Sequence, residues 1–174
     1  MALASLLAPL GERAIVRHRV LPGWTAFSTV RLVNNPATGL VGALRAIQSP
    51  SVSIAVIPAG TNDLGYSATK EEIVSGVTEL HARAHADGVA TIALSIPSSA
   101  WQAQDASAAA LAEATKKRCA ELGTLCTFAE FPLAFERNEL WSPDGLHLSA
   151  HGYRAVGERI APAVASALRN LSSA

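Results

Sequence analysis

The sequence lacks an excess of charge of either sign. Fourteen Lys and Arg are matched by fourteen Asp and Glu, so the formal net charge is zero. A short basic run, Lys116-Lys117-Arg118, is isolated in the sequence. Nucleic acid and anionic membrane surfaces are bound by clustered positive charge. We therefore expect neither of them as a partner.

Long hydrophobic runs are missing as well, although 49% of the 174 residues are hydrophobic. No apolar stretch approaches the roughly 20 residues that a membrane-spanning helix needs. The first ten residues carry no basic region and are interrupted by Pro9, so no signal peptide is visible. We expect a soluble protein without a membrane span, cytoplasmic by default.

Cysteine is scarce, with Cys119 and Cys126 as the complete set. Two cysteines are too few for a disulfide framework, and neither stands beside a histidine at metal-ligand spacing. We expect two free, buried thiols. His81 and His85 lie one helical turn apart, a spacing that metals can use, but without a carboxylate or cysteine partner we expect two solvated histidines.

The order of predicted elements alternates strand with helix. Short apolar, β-branched runs predict buried strands at 52–57, 89–95 and 125–129, with a weaker candidate at 14–20. Helical spacing predicts helices at about 69–88, 105–122 and 150–171, the last bent near Pro162. With no long linker, this order predicts a single α/β domain over residues 1–174, built on a parallel sheet with helices on both faces.

Sheets of this kind bind ligands beyond the carboxyl ends of their strands. Each strand candidate is followed there by a glycine-, proline- or polar-containing segment, at 22–25, 60–63, 96–97 and in the long stretch up to His147. We expect these four segments to share one rim of the sheet.

Two of these segments carry chemistry. Asp144 and His147 stand three residues apart, just before the last helix. A histidine that takes a proton from a hydroxyl near neutral pH needs a carboxylate to fix its tautomer and stabilise the imidazolium. Taken alone, the same pair also fits a helix-capping aspartate and a surface histidine. Gly60-Thr61-Asn62-Asp63 taken alone fits an ordinary turn.

In this order and spacing the segments resemble the SGNH, or GDSL-type, hydrolase family. The matching stretches are Pro22-Gly23-Trp24-Thr25, Ala59-Gly60-Thr61-Asn62-Asp63-Leu64 and Ser142-Pro143-Asp144-Gly145-Leu146-His147-Leu148-Ser149 followed by Gly152-Tyr153. The resemblance runs from about Leu7 to Leu171. It implies a three-layer, flavodoxin-like fold and a serine-type hydrolase, esterase- or lipase-like, that cleaves small carboxylic esters through an acyl-enzyme. It implies no metal and no organic cofactor.

The resemblance also implies a role for each matching residue. His147 corresponds to the general base and Asp144 to the carboxylate that orients it. The backbone N–H of Gly23 and the side-chain amide of Asn62 correspond to donors of an oxyanion hole. Asp63, an acceptor only, is expected to brace the loop.

The sequence departs from the family pattern at its start. The family's Gly-Asp-Ser, which follows the first strand and supplies the nucleophile, does not occur in the 174 residues. Neither Ser5 nor Ser28 matches that motif, so the nucleophile stays unknown and the first, central strand is missing. Three explanations compete, ranked from the most to the least favoured. They are a misassigned start and N-terminal truncation, a strand and serine from another chain, and a non-catalytic relic. We expect negligible esterase turnover from this chain alone.

Two functional alternatives stay open at this point. One is a non-catalytic binding or scaffold domain derived from the hydrolase fold, and the other is a carbohydrate acetylesterase. Trp24, Trp101 and Trp141 lie in or near the rim segments, where they either line an acyl or aryl pocket or pack the loops. The oligomeric state is not determined by the sequence.

Overall fold

A computed structural model describes residues 15–18, 20–47, 52–98 and 107–172 of the chain. Its elements follow in the order α1 (Ala26–Arg31), α2 (Leu40–Ala46), β1 (Ile54–Pro58), α3 (Thr61–Gly65), α4 (Lys70–Ala86), β2 (Ala90–Leu94), α5 (Ser107–Glu121), a 3-10 turn (Gly123–Leu125), β3 (Cys126–Ala129) and α6 (Ala150–Ser172). The fold is α/β, with a sheet flanked by helices, as the alternation of elements predicts.

The sheet contains the three predicted main strands, all parallel, in the order β1-β2-β3. Ile54 pairs with Ala90, and Thr91 pairs with Cys126. Every residue of β2 is buried, as its uninterrupted apolar sequence predicts for a central parallel strand. Within the described residues β1 is paired on the β2 side only.

The weaker strand candidate at 14–20 is wrong for its described residues. Residues 15–18 and 20 lie outside helix and strand and are exposed, Val20 to 72%. A β-branched run becomes a strand only where a neighbouring strand completes its hydrogen bonds and covers one face. Residues 15–18 and 20 have no such neighbour among the described residues.

The chain divides into two compact units. One consists of residues 21–96 and 109–130 and holds the sheet. The other consists of residues 1–20, 97–108 and 131–174 and holds α6 with the loop that leads into it.

In the sheet unit, α4 is the helix with the broadest set of contacts. It begins with a capping box, in which Thr69 Oγ1 accepts from Glu72 N and the Glu72 carboxylate accepts from Thr69 N. The apolar stripe of α4 is buried, Ile73 and Leu80 almost completely. This stripe packs on β2 and on α1 and α2.

The expectation of solvated histidines on α4 is wrong. His81 is 1% exposed and His85 is half-buried. His81 Nδ1 and His85 Nε2 each lie 2.8 Å from the Thr91 hydroxyl oxygen on β2. His81 falls on the same helical stripe as Val77 and Ala84, four residues before it and three after, so it faces the sheet.

The expectation of free thiols is wrong too. Cys119, near the end of α5, and Cys126, the first residue of β3, form a disulfide. Gly123, at φ +81°, turns the chain between them, which brings the two Cα atoms within 5.3 Å. That separation is in the ordinary range for a disulfide.

The other unit is organised around α6 and residues 131–149. Leu133, Trp141 and Leu148 form a buried cluster, with Phe135 and Val156 packed against it. The indole N–H of Trp141 donates to Ala134 O at 3.3 Å. Trp141 therefore packs this loop, while Trp101 lies outside the described residues.

Helix α6 is continuous through Pro162, and a bend there stays a prediction. In the parts of the chain that the structure describes, no helix combines the length and apolarity needed to cross a membrane.

Candidate active site

Asp144 and His147 form a hydrogen-bonded pair on the loop before α6. His147 Nδ1 lies 2.7 Å from Asp144 Oδ2. Both side chains are open to solvent, 65% exposed for His147 and 51% for Asp144. Since an ionised carboxylate only accepts, the imidazole donates through Nδ1–H. This leaves the lone pair of Nε2 available to take a proton.

Asp144 also orders the backbone that carries its partner. Its second oxygen, Oδ1, accepts from the N–H of Leu146 at 2.9 Å and from the N–H of His147 at 3.0 Å. An aspartate that bonds the N–H groups two and three residues ahead is a common turn-forming device. The carboxylate therefore fixes both the ring and the main chain of His147.

Hydrogen bonding lowers the pKa of Asp144 to about 2. The largest cause is the side-chain bond from His147, followed by the backbone N–H groups of His147 and Leu146. All three bonds favour the charged carboxylate. Asp144 is therefore an anion across the neutral range, as the orienting partner of an imidazole must be.

The loop around the pair is held closed by its backbone. The N–H of Ser142 donates to His147 O at 2.8 Å, and the N–H of Ser149 donates to Leu140 O at 2.9 Å. Trp141 and Leu148 form an antiparallel bridge between those two bonds. The Asp144 turn is thus the tip of a short, closed hairpin-like loop.

Gly152 explains how closely this loop approaches α6. It lies in the first turn of the helix, and a Cβ built there would overlap the carbonyl oxygen of Leu140. Its N–H donates to Ser149 Oγ at 3.1 Å. The absence of a side chain at this position therefore lets the loop close onto the helix start.

In the sheet unit, Gly23 and Asn62 belong to one hydrogen-bonded arrangement. The Asn62 amide donates to Trp24 O at 2.8 Å, next to Gly23 in the chain. One amide N–H of Asn62 stays available, since a side-chain amide has two donors. The N–H of Gly23 has no acceptor among the described residues, and Gly23 is exposed at φ +75°.

Asp63 braces this arrangement, as the sequence predicts. It is 3% exposed, and its two carboxylate oxygens lie 3.0 and 2.9 Å from the N–H of Ala26 at the start of α1. Together with the Asn62 bond, this ties the 23–26 loop to α3. A negative charge at the start of a helix is also favourable to the helix dipole.

Gly60 permits the turn from β1 into α3. Its φ of +113° is a conformation that other residues rarely adopt, and a Cβ there would lie 3.0 Å from Ile73 Cγ2. Because Gly60 caps α3, it sets the direction in which the chain leaves β1 and enters the helix that carries Asn62.

The structure therefore brings the predicted site residues together in two groups. Asp144 joins His147 in one compact unit, and Gly23 joins Asn62 in the other, each group described by itself. Ser5 lies outside the described residues, and Ser28 Oγ, in the first turn of α1, accepts from Oγ1 of the helix-capping Thr25. In the described part of the chain, no cluster of three or more His, Cys, Asp or Glu side chains is arranged to hold a metal ion.

Sequence reasoning missed the anchors of these groups. The carbonyl of Trp24 and the N–H of Ala26 hold Asn62 and Asp63, but backbone groups leave no residue-type signal. Gly152 did have a signal, because a glycine in the first turn of a long helix is unfavourable without a packing reason.

The model of the GDSL-like lipase/acylhydrolase family matches residues 1–155. No curated protein matches the sequence significantly.

Solved structures of similar fold include two carbohydrate esterases of family 3. The protein from Talaromyces cellulolyticus has a TM-score of 0.67 at 16% identity, over 97% of this chain and 89% of that one. The protein from Clostridium thermocellum has a TM-score of 0.64 at 19% identity, over 94% and 87% of the two chains. A putative acylhydrolase from Bacteroides fragilis NCTC 9343 has a TM-score of 0.64 at 16% identity, over 85% and 73%. At these identities the likeness shows the fold.

Proposed function

Because the chain belongs to the GDSL-like lipase/acylhydrolase family, we propose that it is the base-bearing part of a serine-type hydrolase of carboxylic esters. The observation that carries the proposal is the 2.7 Å bond from His147 Nδ1 to Asp144, which leaves Nε2 free and in solvent. An imidazole held in this way is suited to general-base catalysis of acyl transfer.

In the proposed reaction His147 takes up and gives back a proton in each of two half-reactions. Nε2 takes the proton of a serine hydroxyl while the serine oxygen attacks the ester carbonyl carbon, and the resulting imidazolium is stabilised by Asp144. The same proton then passes to the leaving alcohol as the ester C–O bond breaks. In the second half-reaction His147 takes a proton from water as the water oxygen attacks the acyl carbon, and it returns that proton to the serine oxygen as the acid is released.

Gly23 and Asn62 are proposed to stabilise the oxyanion of the tetrahedral intermediate. Each has an N–H without an acceptor among the described residues, one on the backbone and one on the side-chain amide. Both donors are neutral, so they add no cost of burying a charge. Removing one such donor costs about 3 kcal/mol of transition-state stabilisation in subtilisin, a studied protease.

The serine itself is not assigned, because the 174 residues contain no Gly-Asp-Ser. Without it, His147 is left to activate water directly. Oxyanion donors and binding alone leave a rate enhancement of roughly 10³- to 10⁴-fold over water in subtilisin, far below that of a complete triad. We therefore propose that this chain alone turns over simple esters at a negligible rate.

A carbohydrate acetylesterase is the second candidate. It would use the same groups of His147, Asp144, Gly23 and Asn62 on a more polar substrate. The observation that favours it is the similarity in fold to two family 3 carbohydrate esterases over 94% or more of this chain. Turnover of acetylated sugars by an active form, compared with its turnover of aliphatic and aryl esters, would separate this function from that of an aliphatic or aryl esterase.

A non-catalytic binding or scaffold domain is the candidate from another class. Saturable ligand binding without labelling of any serine by a fluorophosphonate probe would support this alternative.

The experiment that tests the esterase proposal uses a form of the protein that includes a Gly-Asp-Ser. The coding sequence immediately upstream of Met1 is first examined for an in-frame strand that ends in this motif. The extended protein is then assayed with p-nitrophenyl acetate and a fluorophosphonate probe. We expect labelling of the motif serine, loss of turnover in His147→Ala and a large loss in Asp144→Asn.

Exposed His151, on α6, supplies a matched control, since His151→Ala removes an imidazole without touching either group. Turnover of the extended protein that is unchanged in His147→Ala would contradict the role of His147. An in-frame stop codon upstream of Met1 would reject the explanation that a misassigned start accounts for the absent serine.

A further inference from the structure

A cavity of about 260 Å³ lies beside the Asp144 loop, within the α6 unit. Its lining comes from residues 135–145, the segment that ends in the Asp144 turn. Drug-sized ligands occupy pockets of about 300 to 1,000 Å³. A space slightly below that range suits a single ring with its substituents.

One wall of the cavity is apolar and rigid. Phe135 meets the ring of Trp141 edge to face, with 5.1 Å between centroids. Trp141 is fixed by its bond to Ala134 O and by burial in the Leu133–Leu148 cluster. Pro143 adds a further apolar surface. Such a wall accommodates the C–H face of a ring.

Arg137 is the one charged side chain among the lining residues. It is exposed, and it has no hydrogen bond or ion pair with any residue in the described parts of the chain. The nearby carboxylate of Glu136 is not part of the lining and accepts from Asn138 Nδ2 at 3.2 Å. The guanidinium therefore has its full set of donors available for a ligand.

The other polar lining groups are largely occupied. Asn138 Oδ1 accepts from Leu140 N at 2.9 Å, and Ser142 Oγ donates to Leu148 O at 3.2 Å. Ionic recognition at this cavity thus depends on Arg137. A planar guanidinium matches a carboxylate, which it binds through two parallel hydrogen bonds.

We propose that this cavity is a subsite for a carboxylate-bearing sugar ring, with the carboxylate on Arg137 and the ring face on Phe135. The subsite adjoins the loop of Asp144. Because its ionic recognition depends on Arg137, it selects uronate-containing esters over neutral ones. As a substrate subsite it rests on the proposed esterase function. Binding of the sugar acid itself requires no catalysis.

The test is a binding titration of the full 174-residue chain with D-glucuronate and with D-glucose, followed by two-dimensional ¹H–¹⁵N spectra. We expect saturable shifts at residues 135–145 with glucuronate, and binding of glucose at least about tenfold weaker. Arg137→Gln should weaken glucuronate binding about tenfold and leave glucose unaffected. Arg154→Gln, an exposed arginine on α6 outside the cavity, should bind as the parent does.

Equal affinity for the two sugars would overturn the proposal, as would glucuronate binding that survives Arg137→Gln or no binding at all. Benzoate serves as a third ligand. If benzoate binds more tightly than glucuronate, the cavity prefers an aryl acid to a sugar acid, and the assignment is rejected. Failure here leaves the esterase proposal standing, because that proposal is tested by turnover and serine labelling.

Discussion

Two histidine sites in this protein use the same side chain in opposite environments. His147 stands in solvent on a loop and donates to a carboxylate. His81 is buried between α4 and β2, and its nearest polar partner is the hydroxyl of Thr91. One imidazole bonds to a carboxylate in solvent, and the other bonds to a neutral hydroxyl in the core.

The pKa of His81 shows the consequence for the buried site. Burial, and to a smaller degree the charge of His85, lower the pKa of His81 to about 4 from 6.5. Burial also lowers the pKa of His85. The Thr91 hydroxyl has one proton, so it donates to one of these two rings and accepts from the other. The ring that accepts the Thr91 proton must be neutral, and the network lies in the core.

The largest expected effect is a loss of stability on acidification, caused by His81. Its folded pKa, about 4, lies below the unfolded value of 6.5, so the unfolded state binds the proton first. The free energy of unfolding is therefore highest above pH 6.5 and falls as pH drops to about 4. At roughly 1.4 kcal/mol per pKa unit, the loss is on the order of 3 kcal/mol.

Urea unfolding between pH 4 and 8 measures this loss. His81→Leu should flatten the profile, whereas His151→Gln, at an exposed position, should retain it. A titration of the histidine ring signals by NMR provides the second measurement if His81→Leu does not fold. A His81 that titrates near 6.5 would contradict its assignment to the core.

The next effect concerns the disulfide next to the buried histidine. Cys119, Cys126 and His81 lie around the same small recess. A disulfide between residues seven apart closes a short loop, and the chain-entropy model assigns about 2 to 3 kcal/mol to such a closure. We expect Cys119→Ser to lower the free energy of unfolding by that amount. Equal urea midpoints for the parent with and without reductant would show that the bond contributes nothing.

Thr91→Val should cost about 1 to 3 kcal/mol, because it leaves His81 Nδ1 and His85 Nε2 without their shared partner. Thr78→Val is the matched control. The Thr78 hydroxyl donates to Val74 O on the same helix, so its removal leaves no ring nitrogen unpaired. Similar urea midpoints for the two variants would mean that the Thr91 network adds no stability.

The smallest effect on stability belongs to the exposed pair. Asp144→Ala should leave the free energy of unfolding nearly unchanged, because an exposed ion pair contributes little to stability. It should nevertheless lower the population of the Nδ1–H tautomer of His147, which ¹⁵N chemical shifts report. His151 serves as the internal reference. An unchanged tautomer would show that Asp144 does not orient the ring.

The sequence was informative where chemistry depends on neighbours in the chain. Asp144 and His147 are three residues apart, so one turn brings them together, and Asp63 could be assigned as a brace from its position beside Asn62. His81 was also within reach, since it lies on the apolar stripe of α4. Helical period predicts that His81 is buried, whereas its residue type alone favours a solvated position.

The remaining features depend on distant parts of the chain. The Cys119–Cys126 bond requires the turn at Gly123, and the bond from Asn62 to Trp24 joins positions 38 residues apart. The residues at 15–18 and 20 have strand-like composition but no strand neighbour among the described residues. Pairing of this kind is determined by tertiary contacts, which a local pattern does not contain.

We propose that His147, oriented by Asp144, is a general base whose nucleophilic serine is not displayed in this sequence. Turnover of p-nitrophenyl acetate by the purified 174-residue chain, measured beside that of His147→Ala, tests this proposal. We expect the same negligible rate for both proteins. Robust turnover that disappears in His147→Ala, together with fluorophosphonate labelling of a serine among these residues, would contradict it.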